Sequence, residues 1–266
     1  MTRIGFIGTG NLASAIIRGL KQNNTEYHLN LYDVFEEKVT KLAQEYEAHS
    51  CTFSQLIDDS EIIILAVKPK DIKSLLQELA YYSLSEKLII TVAAGIGLSV
   101  YEQALPNTAI IRVMPNTSSS VLQAVSGMVR GRNVNDEQAG TAEKIFSAVG
   151  KVLWLEDDKI NALTAVSGSG PAYFYLFTEF MTEAGEKLGL TKQQSEFLAR
   201  ETLVGAGRML ADDSRSAKEL REAVTSPNGT TEAAIKSFIK QGLDKTVYDA
   251  MLACYKRAEE MEGEYS

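Results

Sequence analysis

The chain has 266 residues, 45% of them hydrophobic and 23% charged, with a formal net charge of -8. That length suits about two domains and can bury a sizeable core. The acidic balance speaks against nucleic acid as a partner and leaves no polybasic membrane anchor.

In chain order, residues 3–7 predict a short buried strand, and Gly8-Thr-Gly-Asn-Leu-Ala13 follows with the spacing G-x-G-x-x-A. The first glycine permits a tight turn, the second lets a pyrophosphate approach the backbone, and the small third residue lets a helix pack closely on the strand. That helix, expected over 11–22, points its free N–H groups and positive dipole end at the anion. A second strand over 27–32 runs into Asp33, and a charge-rich helix covers 36–47. A short third strand is expected at 51–53, then a helical turn over 53–58. The apolar run Ile62-Ile-Ile-Leu65 within 61–67 is the mark of a parallel strand buried on both faces. A helix over 71–81, a strand over 87–92, a short helix capped by Ser99 and a strand over 109–114 come next. A strand at 127–131, a helix over 136–149 and a strand at 151–155 complete this half. Strands alternating with helices predict an α/β, doubly wound sheet of Rossmann type.

Near 156 the pattern changes. Helices are expected at 157–166, 171–188, 191–211, 216–224, 229–240 and 243–262. The expected division is a dinucleotide-binding domain over 1–156 and an all-helical domain over 157–266. Pro171 suits a first helical turn. The helix after it carries Tyr173, Phe174, Tyr175, Leu176, Phe177, Phe180 and Met181 around most of its circumference. A helix apolar all round must be buried all round, and about 110 residues offer limited room, so a partner subunit is expected to cover part of it.

Dinucleotides bind outside the carboxyl ends of the strands, where strand order reverses. The expected coenzyme residues are therefore Ile7, Gly8, Thr9, Gly10, Asn11 and Leu12, then Asp33, then Ala66, Val67, Lys68 and Pro69, then Ala93, Ala94 and Gly95, and finally Asn116. Lys68 either lies beside the coenzyme or turns its charge to solvent, and Asn116 either neighbours the nicotinamide or serves its own turn. Asp33 follows Gly10 by 23 positions, close to the offset of an acid that binds a ribose 2′-OH; the competing reading makes it the cap of the next helix. Glu36 and Glu37 follow, and no Arg lies between 33 and 37, so a 2′-phosphate would face acid and the region leans toward NADH over NADPH.

A second constellation is Thr225-Ser-Pro-Asn-Gly-Thr-Thr231, between two expected helices. Gly229 is expected to permit a positive φ. The amides of Thr230 and Thr231, with the hydroxyls of Ser226 and Thr231, form a candidate carboxylate site. The competing reading is a capped interhelical turn. Ser167-Gly-Ser-Gly-Pro-Ala-Tyr173, taken alone, reads as a structural entry into the aromatic helix.

The histidines are His28 and His49, both outside these motifs, and no metal site is expected. Cys51 and Cys254 lie far apart, which rules out a disulfide framework and fits a reducing cytoplasm. Residues 1–20 carry no basic stretch before an apolar core, and no apolar run reaches about 18 residues, so neither a signal peptide nor a membrane span is expected.

Together with Ala66-Val-Lys-Pro69, Ala93-Ala-Gly95 and Arg112-Val-Met-Pro-Asn-Thr117, these stretches resemble the pyrroline-5-carboxylate reductase family over the whole chain. The resemblance implies a Rossmann domain followed by a helical dimerisation domain, with dimers assembling further, often into decamers. It implies reduction of 1-pyrroline-5-carboxylate to L-proline by NADPH or NADH, at a site completed by the partner subunit. It implies that the Thr231 hydroxyl bonds the ring nitrogen, while Ser226 and the amides around Asn228, Gly229, Thr230 and Thr231 hold the carboxylate. The family habit is NADPH, against the lean of the Asp33 region. The chain departs from the family at Ser118-Ser-Ser120, where Pro-Ala is usual, and at Asn228, where Gly is frequent. Alternative readings are a reductase of another cyclic imine, and a non-catalytic or regulatory dinucleotide-binding paralogue. A β-hydroxyacid relative would want a catalytic lysine in the helical domain, and Lys159 is poorly placed for it.

Overall fold

The computed structural model describes residues 2–23 and 27–265. Its first half is one eight-stranded sheet in the order β3-β2-β1-β4-β5-β6-β7-β8. The strands are β1 (Thr2–Ile7), β2 (Tyr27–Tyr32), β3 (His49–Ser50), β4 (Ile62–Leu65), β5 (Leu88–Thr91), β6 (Ala109–Met114), β7 (Ala124–Arg130) and β8 (Gly150–Trp154). Between them lie α1 (Asn11–Gln22), α2 (Glu36–Tyr46), α3 (Phe53–Asp59), α4 (Pro69–Leu79), α5 (Leu98–Ala104) and α6 (Asp136–Ser147).

Successive side chains of a strand point to opposite faces, and both faces here are covered. Ile62, Ile64, Leu88 and Ile90 join one cluster with Ile16 and Ile17 of α1 and Ile145 and Phe146 of α6. Ile63, Leu65 and Ile89 join the other with Leu56 of α3, Leu76 of α4 and Tyr101 of α5. This is why the 62–65 run has no polar break. The pairings are parallel except β6 with β7, which is antiparallel. From β1 the chain first builds outward through β2 and β3, then returns to build β4, β5 and β6 on the other side. The strand order therefore reverses between β1 and β4.

Three local expectations need correction. The third strand is His49–Ser50 rather than 51–53; Cys51 still donates its amide to Leu31, but Thr52 is already committed to a capping box with Gln55. Ser99 does not cap α5. Gly97 stands at that position, and the Leu98 amide, one of the first-turn donors with no partner in the helix, is taken by the Asp157 carboxylate at 3.1 Å. The helix expected over 157–166 is a 3-10 turn (Asp157–Lys159), a short helix α7 (Ile160–Leu163) and a π turn (Thr164–Gly168).

The helices that follow are α8 (Gly170–Lys187), α9 (Lys192–Asp212), α10 (Ala217–Ala223), α11 (Thr230–Lys240) and α12 (Leu243–Tyr265). The chain forms two compact units, one of residues 1–169 with 254–266, the other of residues 170–253. The end of α12 thus groups with the sheet in one compact unit. Pro171 occupies the first turn of α8, as expected. In the single chain α8 leaves Phe174, Tyr175, Leu176, Phe177, Phe180 and Met181 exposed, so a helix apolar all round lacks its cover.

Candidate active site

The Gly-rich turn lies at the point where strand order reverses. Gly8 has φ +97°, and a Cβ there would stand 2.6 Å from the Ala66 carbonyl oxygen, so only glycine fits between the ends of β1 and β4. The Gly8 amide donates to Tyr32 and the Ala66 amide to Ile7, both at 2.8 Å, which locks the three strand ends together. Gly10 stands at the cap just before α1, and a Cβ at Gly10 would meet open space, the opening a pyrophosphate needs. Ala13 is fully buried against the sheet.

Asp33 is not the cap of α2; Phe35 holds that position. One Asp33 oxygen accepts the Thr9 amide at 2.7 Å and the Thr9 hydroxyl at 3.0 Å, and the other accepts the Phe35 amide at 3.1 Å. The carboxylate therefore fastens the Gly-rich turn to the end of β2. An ionised carboxylate has about four acceptor sites, so one remains for a ligand hydroxyl. The Lys38 ammonium sits 4.6 Å from the centre of the Phe35 ring. Beside the turn is a cleft of about 530 Å³, lined by Thr9, Gly10, Asn11 and Ser14 and carrying the cations Arg18, Lys38 and Lys41 with the anion Glu45. The sequence reading stopped at residue 37 and missed these cations; the three-residue spacing of Lys38 and Lys41, one face of a helix, was the available signal.

Lys68 is exposed at the start of α4, with Pro69 in the first helical position. Asn116 donates its side-chain amide to the Ser167 carbonyl at 3.0 Å and accepts the Val125 amide at 3.3 Å, so it joins β7 to the π turn. The serine run folds into a 3-10 turn (Thr117–Val121), whose Ser120 carbonyl accepts Arg18 of α1. A smaller cavity of about 300 Å³ opens between this turn and Asn11, Leu12, Pro115 and Asn116. Another, of about 320 Å³, is lined by residues 80, 82–85 and 104–108, before β5 and β6 begin, at the opposite end of the sheet from the strand ends that bind ligands.

The second unit holds the other constellation. Gly229 stands just before α11 with φ -83°, so the expected positive φ is not there; Asn228, at φ 60°, takes the left-handed position. Gly229 is required for a different reason. A Cβ on it would lie 2.4 Å from the Ser226 hydroxyl oxygen, so the missing side chain lets Ser226 fold over the helix start. The Gly229 amide donates to the Ser226 carbonyl at 3.0 Å, and the Asn228 amide donates to Glu232 at 3.0 Å. Glu232 also pairs with Lys236 at 3.1 Å; that bond first, and the Asn228 amide second, hold its carboxyl below the usual range. Thr230 and Thr231 open α11, where the first amides of a helix have no carbonyl partner within it.

His28 and His49 are exposed on β2 and β3. Among the described residues no group of three His, Cys, Asp or Glu side chains is placed to hold a metal, and no helix is long and apolar enough to cross a membrane. Both cysteines are free.

Residues 157–261 match the family described as pyrroline-5-carboxylate reductase dimerisation, and residues 3–95 match the one described as NADP oxidoreductase coenzyme F420-dependent. The pyrroline-5-carboxylate reductase of Pseudomonas aeruginosa is 40% identical over 263 residues, covering 97% of this chain and 96% of that protein. The chain belongs to the pyrroline-5-carboxylate reductase family. Among reductases of known structure, that of Coxiella burnetii superposes with a TM-score of 0.93 at 36% identity, covering 98% of both chains. That of Plasmodium falciparum, solved with NADP bound, gives 0.84 at 28% identity, again over 98% of each. The family assignment thus spans both units of the chain.

Proposed function

We propose that this chain is a pyrroline-5-carboxylate reductase, transferring a hydride from NAD(P)H to 1-pyrroline-5-carboxylate to give L-proline, the last step of proline biosynthesis. The observation that carries this is 40% identity to the Pseudomonas aeruginosa reductase over 97% of the chain. The coenzyme fits the residues present, because Gly8 allows the tight turn between the ends of β1 and β4, and Gly10 leaves open a space that a Cβ there would enter. Residues 7–12, Asp33, 66–69, 93–95 and Asn116 hold it. When bound, the reduced nicotinamide supplies the hydride.

The chain's own residues bind and orient the imine. Ser226 and the amides of Thr230 and Thr231 hold the carboxylate at the start of α11, with the Gly229 amide, already bonded to the Ser226 carbonyl, shaping the loop. The Thr231 hydroxyl hydrogen-bonds the ring nitrogen. An iminium needs orientation and a hydrogen bond rather than a strong general acid, which accords with histidines confined to exposed positions on β2 and β3. Among the two coenzymes NADH is preferred: the Asp33 carboxylate has an acceptor site left for a 2′-OH, Glu36 and Glu37 follow it, and Lys38 is engaged over Phe35. The functional assembly is a homodimer, with α8 covered by the partner and dimers joining further into a decamer, and the enzyme works in the cytoplasm.

Purified protein given 1-pyrroline-5-carboxylate with NADH or NADPH tests the reading. Loss of reduced nicotinamide with formation of proline supports it. Coenzyme binding without turnover supports the regulatory alternative, and turnover of a different cyclic imine only would reassign the substrate.

A further inference from the structure

Arg112, at the centre of β6, is a charged side chain only 2% exposed. Its guanidinium forks. One nitrogen donates to Asp157 at 2.7 Å and another to Glu262, near the end of α12, at 2.7 Å. Removing one partner of such a buried charge is costly, so the fork holds both carboxylates firmly. Asn161 adds a third hold, donating to Glu262 at 2.9 Å.

Both arms end on the same turn. Asp157 uses its second oxygen to take the Leu98 amide at 3.1 Å, fixing the downstream end of the turn over 93–97. Glu262 fixes the last turns of α12, where its neighbour Met261 lies over Gly95; a Cβ on Gly95 would stand 3.1 Å from the Met261 Cβ and Cε atoms. Gly95 itself has φ +73°, a conformation that glycine reaches without strain and that a side chain would disfavour. One buried cation thus clamps the turn from two sides.

We propose that Arg112 is a positioning residue for the coenzyme: through Asp157 at one end and Glu262–Met261 over the middle, it sets the shape of the 93–97 turn and hence the affinity for the reduced coenzyme. This rests on the reading that residues 93–95 face the coenzyme. The predicted signature is selective. Loosening the clamp weakens coenzyme binding and leaves the imine's KM and the kcat at saturating coenzyme nearly unchanged.

The test uses the full-length protein with Glu262→Ala, Glu262→Gln and Met261→Ala, which leave Arg112 in place, and Gly95→Ala as a direct probe of the turn. Coenzyme Kd is measured by fluorescence titration, with steady-state kinetics and Tm beside it. Glu262→Ala and Met261→Ala are expected to raise Kd by about three- to tenfold, with Glu262→Gln recovering part of the loss because its amide oxygen still accepts from Arg112. A lower Tm with unchanged Kd in both Ala variants, while Gly95→Ala raises Kd, overturns the clamp but leaves the coenzyme reading standing. Unchanged Kd in Gly95→Ala as well removes the 93–95 turn from the coenzyme site, and the proposal with it. Equal losses in Kd, imine KM and kcat would mean general loosening and would also overturn it.

Discussion

Thr9 gives both its amide and its hydroxyl to a single carboxylate oxygen of Asp33, at 2.7 and 3.0 Å. Asp33 therefore has two tasks, to fasten the Gly-rich turn and to meet the ribose. Substitution separates them. Asp33→Ser is too short to reach Thr9 as the carboxylate does, so kcat/KM should fall with both coenzymes, by about tenfold for NADH, while the NADPH/NADH ratio rises. Asp33→Asn keeps an acceptor for Thr9, removes the charge and turns the oxygen that accepts the Phe35 amide into an NH2 group. It should raise the ratio with a smaller overall loss. A ratio unchanged in both variants would take Asp33 out of coenzyme discrimination and leave it as a fastener.

At Gly229 the absent side chain makes room for a hydroxyl. Gly229→Ala places a Cβ where Ser226 Oγ now lies, 2.4 Å away, and must push Ser226 off the start of α11. The φ of -83° suits alanine, so backbone strain adds little. The expected result is a rise in the KM for the imine with unchanged coenzyme Kd and near-normal Tm. Thr231→Ala should instead lower kcat/KM by about tenfold or more, one well-placed hydrogen bond. If Gly229→Ala leaves KM unchanged, the Ser226 hydroxyl is not a carboxylate ligand.

These two positions also mark where sequence reading succeeds and stops. Gly8, Gly10 and Ala13 were legible because each answers a local backbone or packing demand. The 62–65 run was legible because burial on both faces leaves a uniform apolar string. Gly229 was misread: Asn228 and Gly229 both tolerate a left-handed backbone, and what assigns φ is the packing of Ser226, which spacing does not reveal. The cap of α5 was misread for a similar reason, since its partner Asp157 lies 59 positions downstream. The antiparallel β7 carries no local mark of its direction. Arg112 stood inside a recognised motif, yet its carboxylate partners come from two distant stretches, and no period or spacing joins them.

The exposed face of α8 yields a prediction about assembly. Phe174, Tyr175 and Phe177 are 59%, 64% and 43% exposed in the single chain, and the Phe177 ring also lies tilted against Phe238 within its own unit, 6.2 Å between centres. Burying such rings dominates the energetics of an interface. Phe174→Glu together with Tyr175→Glu should convert the oligomer to monomer in sedimentation velocity and abolish turnover. The sheet unit should keep its coenzyme affinity, because its Gly-rich turn is built from that unit's own strands. Retention of the native oligomer by this double variant would place the dimer contact elsewhere.

One stability contribution should follow pH in a defined direction. Glu102 on α5 is bound by the Arg132 side chain at 2.7 and 3.0 Å and by the Arg132 amide at 2.8 Å, and these bonds hold its carboxyl below the usual range despite partial burial. A depressed folded-state pKa means that the unfolded chain binds the proton more readily. The stabilisation is therefore complete above the unfolded value and lost as pH falls through the folded one. Arg132 faces solvent, so the contribution is modest. Glu102→Gln should lower Tm by a few degrees at neutral pH, and the gap to the parent should shrink steadily below about pH 4.5. High salt should narrow the gap at neutral pH as well, since one partner is exposed. A difference in Tm that stayed constant from neutral to acid pH would assign the loss to packing rather than to the charge.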